Sequence, residues 1–308
     1  MSGFIEIVEV GARDGLQNEK AVLDVADKLA FIHRLEACGA RRIEAVSFVN
    51  ERRVPHMAGA EAIMDALPCE AGRSRIGLVL NERGWDRALG AKVDEANVVV
   101  CVTDEFGIRN QGATVTAQMN ALAEIARRQR AEGGPPISVT FSVAFGCPFA
   151  GEVSEDQVTA LAREAGALGV REIALADTIG VADPWTVRTR IEAVRKAAPD
   201  AQLRMHFHDT RNTGLANAFA SVEAGVSVLD ASCGGLGGCP FAPNATGNIA
   251  TEDLVYMLER AGYETGYDLA GLIDVGRWIS GAIGKPVHSA LGRAGGFPAA
   301  AETAAAER

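Results

Sequence analysis

Residues 206–209 read His206-Phe207-His208-Asp209. Side chains two apart on a strand point to the same side, so two imidazoles at this spacing can share one cation. Spacing alone leaves open a pair of ordinary core or surface histidines. Position favours a metal, because the pair closes an apolar run that reads as the seventh strand of the chain. Two imidazoles do not complete a site, so further ligands must come from other strand ends. Asp14, in the turn after the first predicted strand, is the first candidate, against the alternative of an Arg13-Asp14 turn that merely faces water. Asn248, in the loop before a helical stretch that begins at Thr251, is the second, although Gly-Asn also marks ordinary turns. Two imidazoles, a carboxylate and an amide oxygen, without thiolate, suit Mg2+ or Mn2+ better than zinc, with waters and substrate oxygens completing the shell.

Glu44 ends the predicted second strand, which neighbours the first in a barrel. There its carboxylate can hold the Arg13 guanidinium by charge-assisted hydrogen bonds, or it can form a surface salt bridge of little worth. Residues 233–240 read Cys-Gly-Gly-Leu-Gly-Gly-Cys-Pro. A thiol at Cys239 on so glycine-dense a segment suits a closing lid that carries a proton shuttle, and equally a turn around an inert thiol. The segment lacks the Gly-Lys-Ser/Thr ending of a phosphate-binding loop.

Elements that can position these residues are visible in the hydropathy pattern. Short apolar or β-branched runs recur at 4–10, 42–48, 75–80, 97–102, 137–144, 172–176, 202–207 and 226–231. Helical periodicity fills 114–131, 154–168, 184–197 and 213–224, and also a stretch after Asp24, a predicted N-cap, that Gly39 stops. Eight strands alternating with helices predict an α/β fold, a (β/α)8 TIM barrel, with additional C-terminal helices at 251–260 and 268–283. An open doubly wound sheet would place a Gly-rich turn after its first strand, where this chain has Gly11-Ala12-Arg13-Asp14-Gly15. The expectation is one catalytic domain of pyruvate carboxyltransferase-like type over 1–296 and a frayed tail over 297–308. All the candidate residues then fall at the C-terminal rim of the barrel, where such enzymes keep their active sites.

Bulk properties agree with a globular enzyme. The 308 residues are 48% hydrophobic and 23% charged, enough for a full core. A formal charge of -10, with no basic run, argues against nucleic acid or an anionic membrane as partner. No apolar stretch reaches the roughly 20 residues of a membrane helix, and the N-terminus enters a strand pattern without a signal peptide. The six cysteines are scattered, with no Cys-x-x-Cys pair, which predicts reduced thiols and a cytoplasmic protein.

Five blocks together are specific. They are 8–20 (VEVGARDGLQNEK), 43–48 (IEAVSF), 206–210 (HFHDT), 234–240 (GGLGGCP) and 247–253 (GNIATED), each at a predicted strand end. In this order they resemble the hydroxymethylglutaryl-CoA lyase family over nearly the whole chain. The resemblance implies that Asp14, His206, His208 and Asn248 are metal ligands, that Arg13 stabilises a developing enolate, that Glu44 supports the site and that Cys239 is the lid cysteine. It further implies an Mg2+- or Mn2+-dependent homodimer that cleaves 3-hydroxy-3-methylglutaryl-CoA, an acyl-CoA thioester, into acetyl-CoA and acetoacetate. His206 is also a candidate base. Arg13, Gln17, Lys20, Ser47, Asp177 and Thr178 are the candidate substrate-binding residues. Arg211, Ala176 and the 103–110 block around Arg109 depart from the family's usual run. They bear on the acyl pocket, so a lyase for a related thioester such as citramalyl-CoA is the alternative. A condensing acyltransferase of the isopropylmalate or homocitrate synthase type usually reads Asp-Gly-Glu-Gln, where this chain has Asp14-Gly15-Leu16-Gln17, and a decayed barrel serving as a scaffold would have lost some of these polar rim residues.

Overall fold

The structure, a computed structural model, describes residues 3–238 and 247–298. Strands β1 (Glu6–Glu9), β2 (Arg42–Ser47), β3 (Ser74–Val79), β4 (Glu95–Cys101), β5 (Ile137–Ser142), β6 (Glu172–Asp177), β7 (Gln202–Phe207) and β8 (Val228–Ala231) close into a barrel in sequence order. Every pairing is parallel, β8 with β1 included. The predicted (β/α)8 barrel is therefore the fold.

Helices α1 (Val25–Ala37), α2 (Ala60–Ala66), α3 (Glu82–Gly90), α4 (Asp104–Asn110), α5 (Val115–Glu132), α6 (Glu155–Ala167), α7 (Pro184–Ala197) and α8 (Gly214–Glu223) lie between strands. α9 (Thr251–Arg260), α10 (Leu269–Ile283) and α11 (Ala290–Ala294) follow β8. Several starts are set by a side chain that accepts an otherwise orphaned backbone N–H: Asp24 from Asp27, Thr114 from Ala117, Asp183 from Trp185 and Thr186, and Ser154 from Gln157 in a reciprocal capping box. α2, α3 and α4 were not expected. They are short, and glycines lie in the latter two; α3 nonetheless buries one face through Gly84, Trp85 and Ala88, a period confined to nine residues. Their readable signals were the caps Asn81 and Thr103, whose side chains accept from Gly84 N and Phe106 N.

Alternation along each strand divides its residues between two cores. Side chains pointing outward join the helices in one large apolar layer that includes Phe31, Trp85, Phe141 and Ile191. Inside the barrel, β1, β3 and β8 contribute the small apolar cluster Val8, Val10, Ile76 and Val228. The other strands fill the interior with polar groups. At its lower end the buried Arg42 guanidinium bonds both Glu95 and Glu172, each completely buried. Charges this deep are tolerated because each is paired and hydrogen-bonded. Among the described residues, no helix is long and apolar enough to cross a membrane. Residues 299–308, most of the expected tail, lie outside the described residues.

Candidate active site

The turn after β1 is a single π-helical turn, Gly11–Gly15, closed by Gly15 N donating to Val10 O at 3.1 Å. This wide turn lifts Arg13 and Asp14 over the barrel mouth. Their side chains are only 12% and 14% exposed. Arg13 Nη1 donates to Asp14 Oδ1 at 2.8 Å, and Arg13 Nε donates to Glu44 Oε2 at 2.6 Å. Glu44 is not at the end of β2 but is its third residue, inside the barrel and 1% exposed. The strand register shifts between Glu44 and Val46. The surface salt bridge is thereby excluded, and the buried pair with Arg13 is what forms.

His206 and His208 alternate inward at the end of β7, their ring centroids 5.2 Å apart. Asp14 Oδ2 lies 3.6 Å from His208 Nε2 and 4.0 Å from His206 Nε2. One ligand atom from each of these three residues lies within 4.8 Å of the other two, the separation at which three groups can share a single ion. Asn248 follows β8 and is bridged antiparallel to His208; its Nδ2 donates to Asp14 Oδ2 at 2.8 Å and to Leu236 O at 3.0 Å. Its Oδ1 is buried without a hydrogen-bond partner, and reversing the amide would turn that oxygen, in place of Nδ2, towards Asp14 and the cation site. The donor set fits a hard divalent ion: two imidazole nitrogens, one carboxylate and one orphaned amide oxygen, with no sulfur.

Sequence reasoning missed Asp230. It faces inward on β8, one strand from His206, and its Oδ2 meets His206 Nδ1 at 3.0 Å. A carboxylate on Nδ1 leaves Nε2 as the free lone pair turned towards Asp14, which is how metal-binding histidines are oriented. Burial pulls the His206 pKa down, but the hydrogen bond and charge of Asp230, with Asp14, outweigh it and raise the pKa above its ordinary value. Burial likewise opposes the Asp14 carboxylate, yet Arg13 and the two histidines hold its pKa well below the usual range, so it is ionised. Asp230 was hard to find because it lies within an apolar run, and only its alternation with Val228 and Ser232 hinted at an inward position.

The remaining candidates separate. Ser47 ends β2 with a buried hydroxyl that has no hydrogen-bond partner. Gln17 is partly exposed and Lys20 exposed beside the turn. Asp177 and Thr178 are engaged in shaping loops: the Asp177 carboxylate accepts from Val181 N and Ala182 N, and Thr178 Oγ1 accepts from Val143 N, each at 2.9 Å. Val143, buried just after β5, sits at φ +54°, strained for a β-branched residue, and the Thr178 bond helps hold it there. Arg211 donates to Ile179 O and Gly180 O, while exposed Arg109 lies 4.4 Å over the Phe149 ring. Cys239 lies outside the described residues. The near end of its loop is held by Asn18 Nδ2 donating to Gly238 O at 3.0 Å. Gly237, at φ +120°, comes so close to Asn248 that a Cβ would sit 2.8 Å from its Nδ2. Glycine is what lets this segment cross the site.

A family model described as HMGL-like matches residues 4–279. The chain belongs to the HMGL-like family. It is 41% identical over 302 residues to an (R)-citramalyl-CoA lyase of Chloroflexus aurantiacus, covering 94% of this chain and 95% of the relative. It is 36% identical over 285 residues to a hydroxymethylglutaryl-CoA lyase of Bacillus subtilis, covering 92% and 95%. Among solved structures, an HMG-CoA lyase from Acinetobacter baumannii in complex with coenzyme A and 3-methylmalate superposes with a TM-score of 0.90 at 36% identity, over 96% of this chain and 98% of that one.

Proposed function

We propose that the protein is a divalent-metal-dependent carbon–carbon lyase that cleaves 3-hydroxy-3-methylglutaryl-CoA into acetyl-CoA and acetoacetate. The observation that carries this reading is the meeting of Asp14, His206 and His208 at the barrel mouth with Arg13 bonded to the same aspartate. Asp14, His206, His208 and Asn248 would hold Mg2+ or Mn2+, which when bound supplies Lewis acidity at the substrate's hydroxyl and carboxylate.

The reaction removes the tertiary hydroxyl proton and breaks the bond between C2 and C3. The electron pair passes into the thioester enolate, and a proton is returned to the acetyl-CoA carbon. Arg13 meets the enolate oxygen, where the new charge is greatest; its fixed orientation by Glu44 and Asp14 means that little reorganisation is needed as that charge develops. His206 serves as a ligand rather than as the base, because Nδ1 is committed to Asp230 and Nε2 is the atom facing Asp14. Cys239, on the loop anchored beside Asn248, is assigned the proton return. Arg13, Gln17, Lys20 and Ser47 are assigned to substrate binding. Asp177 and Thr178 contribute by holding the β6 loop.

A second reading, cleavage of citramalyl-CoA to acetyl-CoA and pyruvate, is favoured by the 41% identity to the Chloroflexus enzyme. The two thioesters share the bond that breaks and differ by one methylene in the acid portion. Both readings take an acyl-CoA, in keeping with the coenzyme A in the Acinetobacter structure. A cytoplasmic homodimer completes the reading, to be checked by fractionation and by light scattering. The deciding assay incubates Mn2+-loaded protein with a panel of 3-hydroxyacyl-CoA thioesters and follows acetyl-CoA, acetoacetate and pyruvate, with His206→Ala as control. Absence of acetyl-CoA from every thioester, or equal release by the control, would overturn the lyase assignment.

A further inference from the structure

Beneath the site, polar side chains from different strands form a chain of hydrogen bonds and one ion pair across the barrel. Arg204 Nη2, on β7, donates to Thr140 Oγ1 on β5 at 3.3 Å. Thr140 Oγ1 donates to Asn97 Oδ1 on β4 at 2.9 Å, and Asn97 Nδ2 donates to Glu44 Oε1 on β2 at 2.9 Å. Glu44 then holds Arg13 through its other oxygen. At the opposite end, Arg204 Nε pairs with two carboxylates, Glu172 Oε1 at 3.2 Å and Asp230 Oδ1 at 3.5 Å, and Asp230 Oδ2 holds His206. Asp14 closes the circuit above, bonded to Arg13 and facing His206 Nε2.

The direction of the chain is forced by its ends. A guanidinium only donates and a carboxylate only accepts. The Thr140 oxygen must therefore accept from Arg204, which leaves its single proton for Asn97 Oδ1. That bond turns the Asn97 amide so that its NH2 faces Glu44, where an acceptor waits. Asn97, Arg204, Glu44 and Asp230 are all at most 4% exposed, whereas Thr140 is partly exposed.

We propose that Thr140 is a positioning residue, the single hydroxyl link through which the Arg13–Glu44 arm and the Asp230–His206 arm are held in one arrangement. Catalysis needs both arms at once, one for the enolate and one for the cation, so the inference rests on the function proposed above. Without the hydroxyl, the buried Asn97 Oδ1 loses its donor and Arg204 Nη2 its acceptor. The Asn97 amide is then held at one end only, by Glu44, with its oxygen buried and unbonded.

The test uses the full-length protein with Thr140→Val, which keeps the β-branched shape, and Thr140→Ser, which keeps the hydroxyl. Readouts are Mn2+ affinity from the EPR signal of the free ion, kcat and KM on the cleaved thioester, and Tm. The valine variant is expected to lose about tenfold in kcat, a value in line with one unmade buried hydrogen bond, with KM within about twofold. Its Mn2+ affinity is expected to weaken severalfold, and serine to rescue both quantities. Combined with Asp230→Asn, the valine change is expected to cost less Mn2+ affinity than it does alone, because both act through Arg204. Wild-type kcat and Mn2+ affinity in the valine variant, a serine variant as impaired as valine, or losses that multiply independently would each overturn the proposal. A wild-type protein that neither binds Mn2+ nor cleaves any thioester would remove the function and this inference together; an active wild type with an unaffected valine variant would remove only the role of Thr140.

Discussion

Replacing Asp230 with asparagine keeps the side chain's shape and removes its charge. Asp230 is 4% exposed and presents Oδ2 to His206 Nδ1 at 3.0 Å and Oδ1 towards Arg204 Nε at 3.5 Å. His206 Nδ1 needs this acceptor, while Arg204 also has Glu172 Oε1 at 3.2 Å from its Nε. If the asparagine oxygen faces His206, its NH2 opposes the Arg204 donor. If it turns over, the NH2 faces Nδ1 and selects the tautomer that carries its proton on Nε2, the atom needed for the cation. A charge-assisted hydrogen bond exceeds a neutral one by about 1–2 kcal/mol, which corresponds to roughly 5–30-fold in affinity. The donor conflict adds to this, so Asp230→Asn is expected to weaken Mn2+ binding by about 10–100-fold, the range for lost outer-shell partners of metal ligands. The pH dependence has a definite sign. Asp230 raises the His206 pKa, so in the wild type protons compete with Mn2+ as pH falls through that raised value. Without the Asp230 charge the pKa falls, and the decline in affinity moves to lower pH. An EPR titration of Mn2+ above and below the transition measures both effects. Unchanged affinity together with an unchanged pH midpoint would show that Asp230 does not govern His206.

Other expectations concern the lid, the cation and the buried carboxyls behind β1. Cys239→Ser is expected to bind Mn2+ as the wild type does and to lose most turnover; unchanged turnover removes the thiol from the mechanism. Chelation with EDTA should abolish cleavage, and Mg2+ or Mn2+ should restore it; activity that survives exhaustive chelation contradicts the cation reading. Burial raises the pKa values of Glu9 and Glu252 to about 7 from the ordinary 4.5. Because these folded-state values are raised, the stability they contribute is fully present below about 4.5 and is lost as pH rises through about 7. The loss amounts to at most about 3 kcal/mol for each group. Glu9→Gln should flatten this fall in Tm, since an amide can keep the acceptor to Gly11 N and Cys233 N while donating to Thr251 Oγ1. A Tm that falls as steeply in the variant excludes Glu9 as the cause.

The barrel was legible because long outer helices carry a 3.6-residue period and buried parallel strands read as short apolar runs. Its shorter helices α2, α3 and α4 were not, because fewer than three turns, with glycine in two of them, give any period little length in which to repeat. Within the site, Asp14, His206 and His208 were nameable from residue type and strand-end position. Asp177 and Thr178 have the same kind of position, yet they bond the backbone of nearby loops. Strand-end position places a residue at the rim but does not say whether its polar atoms face the cleft or the chain.

By itself, the sequence determined the fold class, the rim where chemistry occurs and the residue types available to hold a cation, since each follows from local periodicity and side-chain chemistry. Tertiary structure decided which groups share a proton or a charge. Glu44 pairs with Arg13 because β2 lies beside β1, Asp230 reaches His206 because β8 lies beside β7, and Thr140 lies between Asn97 and Arg204 because closure of the barrel turns all three inward. Such partners are tens of residues apart along the chain. Their bonds depend on strand register and on which face of each strand points into the barrel, and no local pattern encodes both.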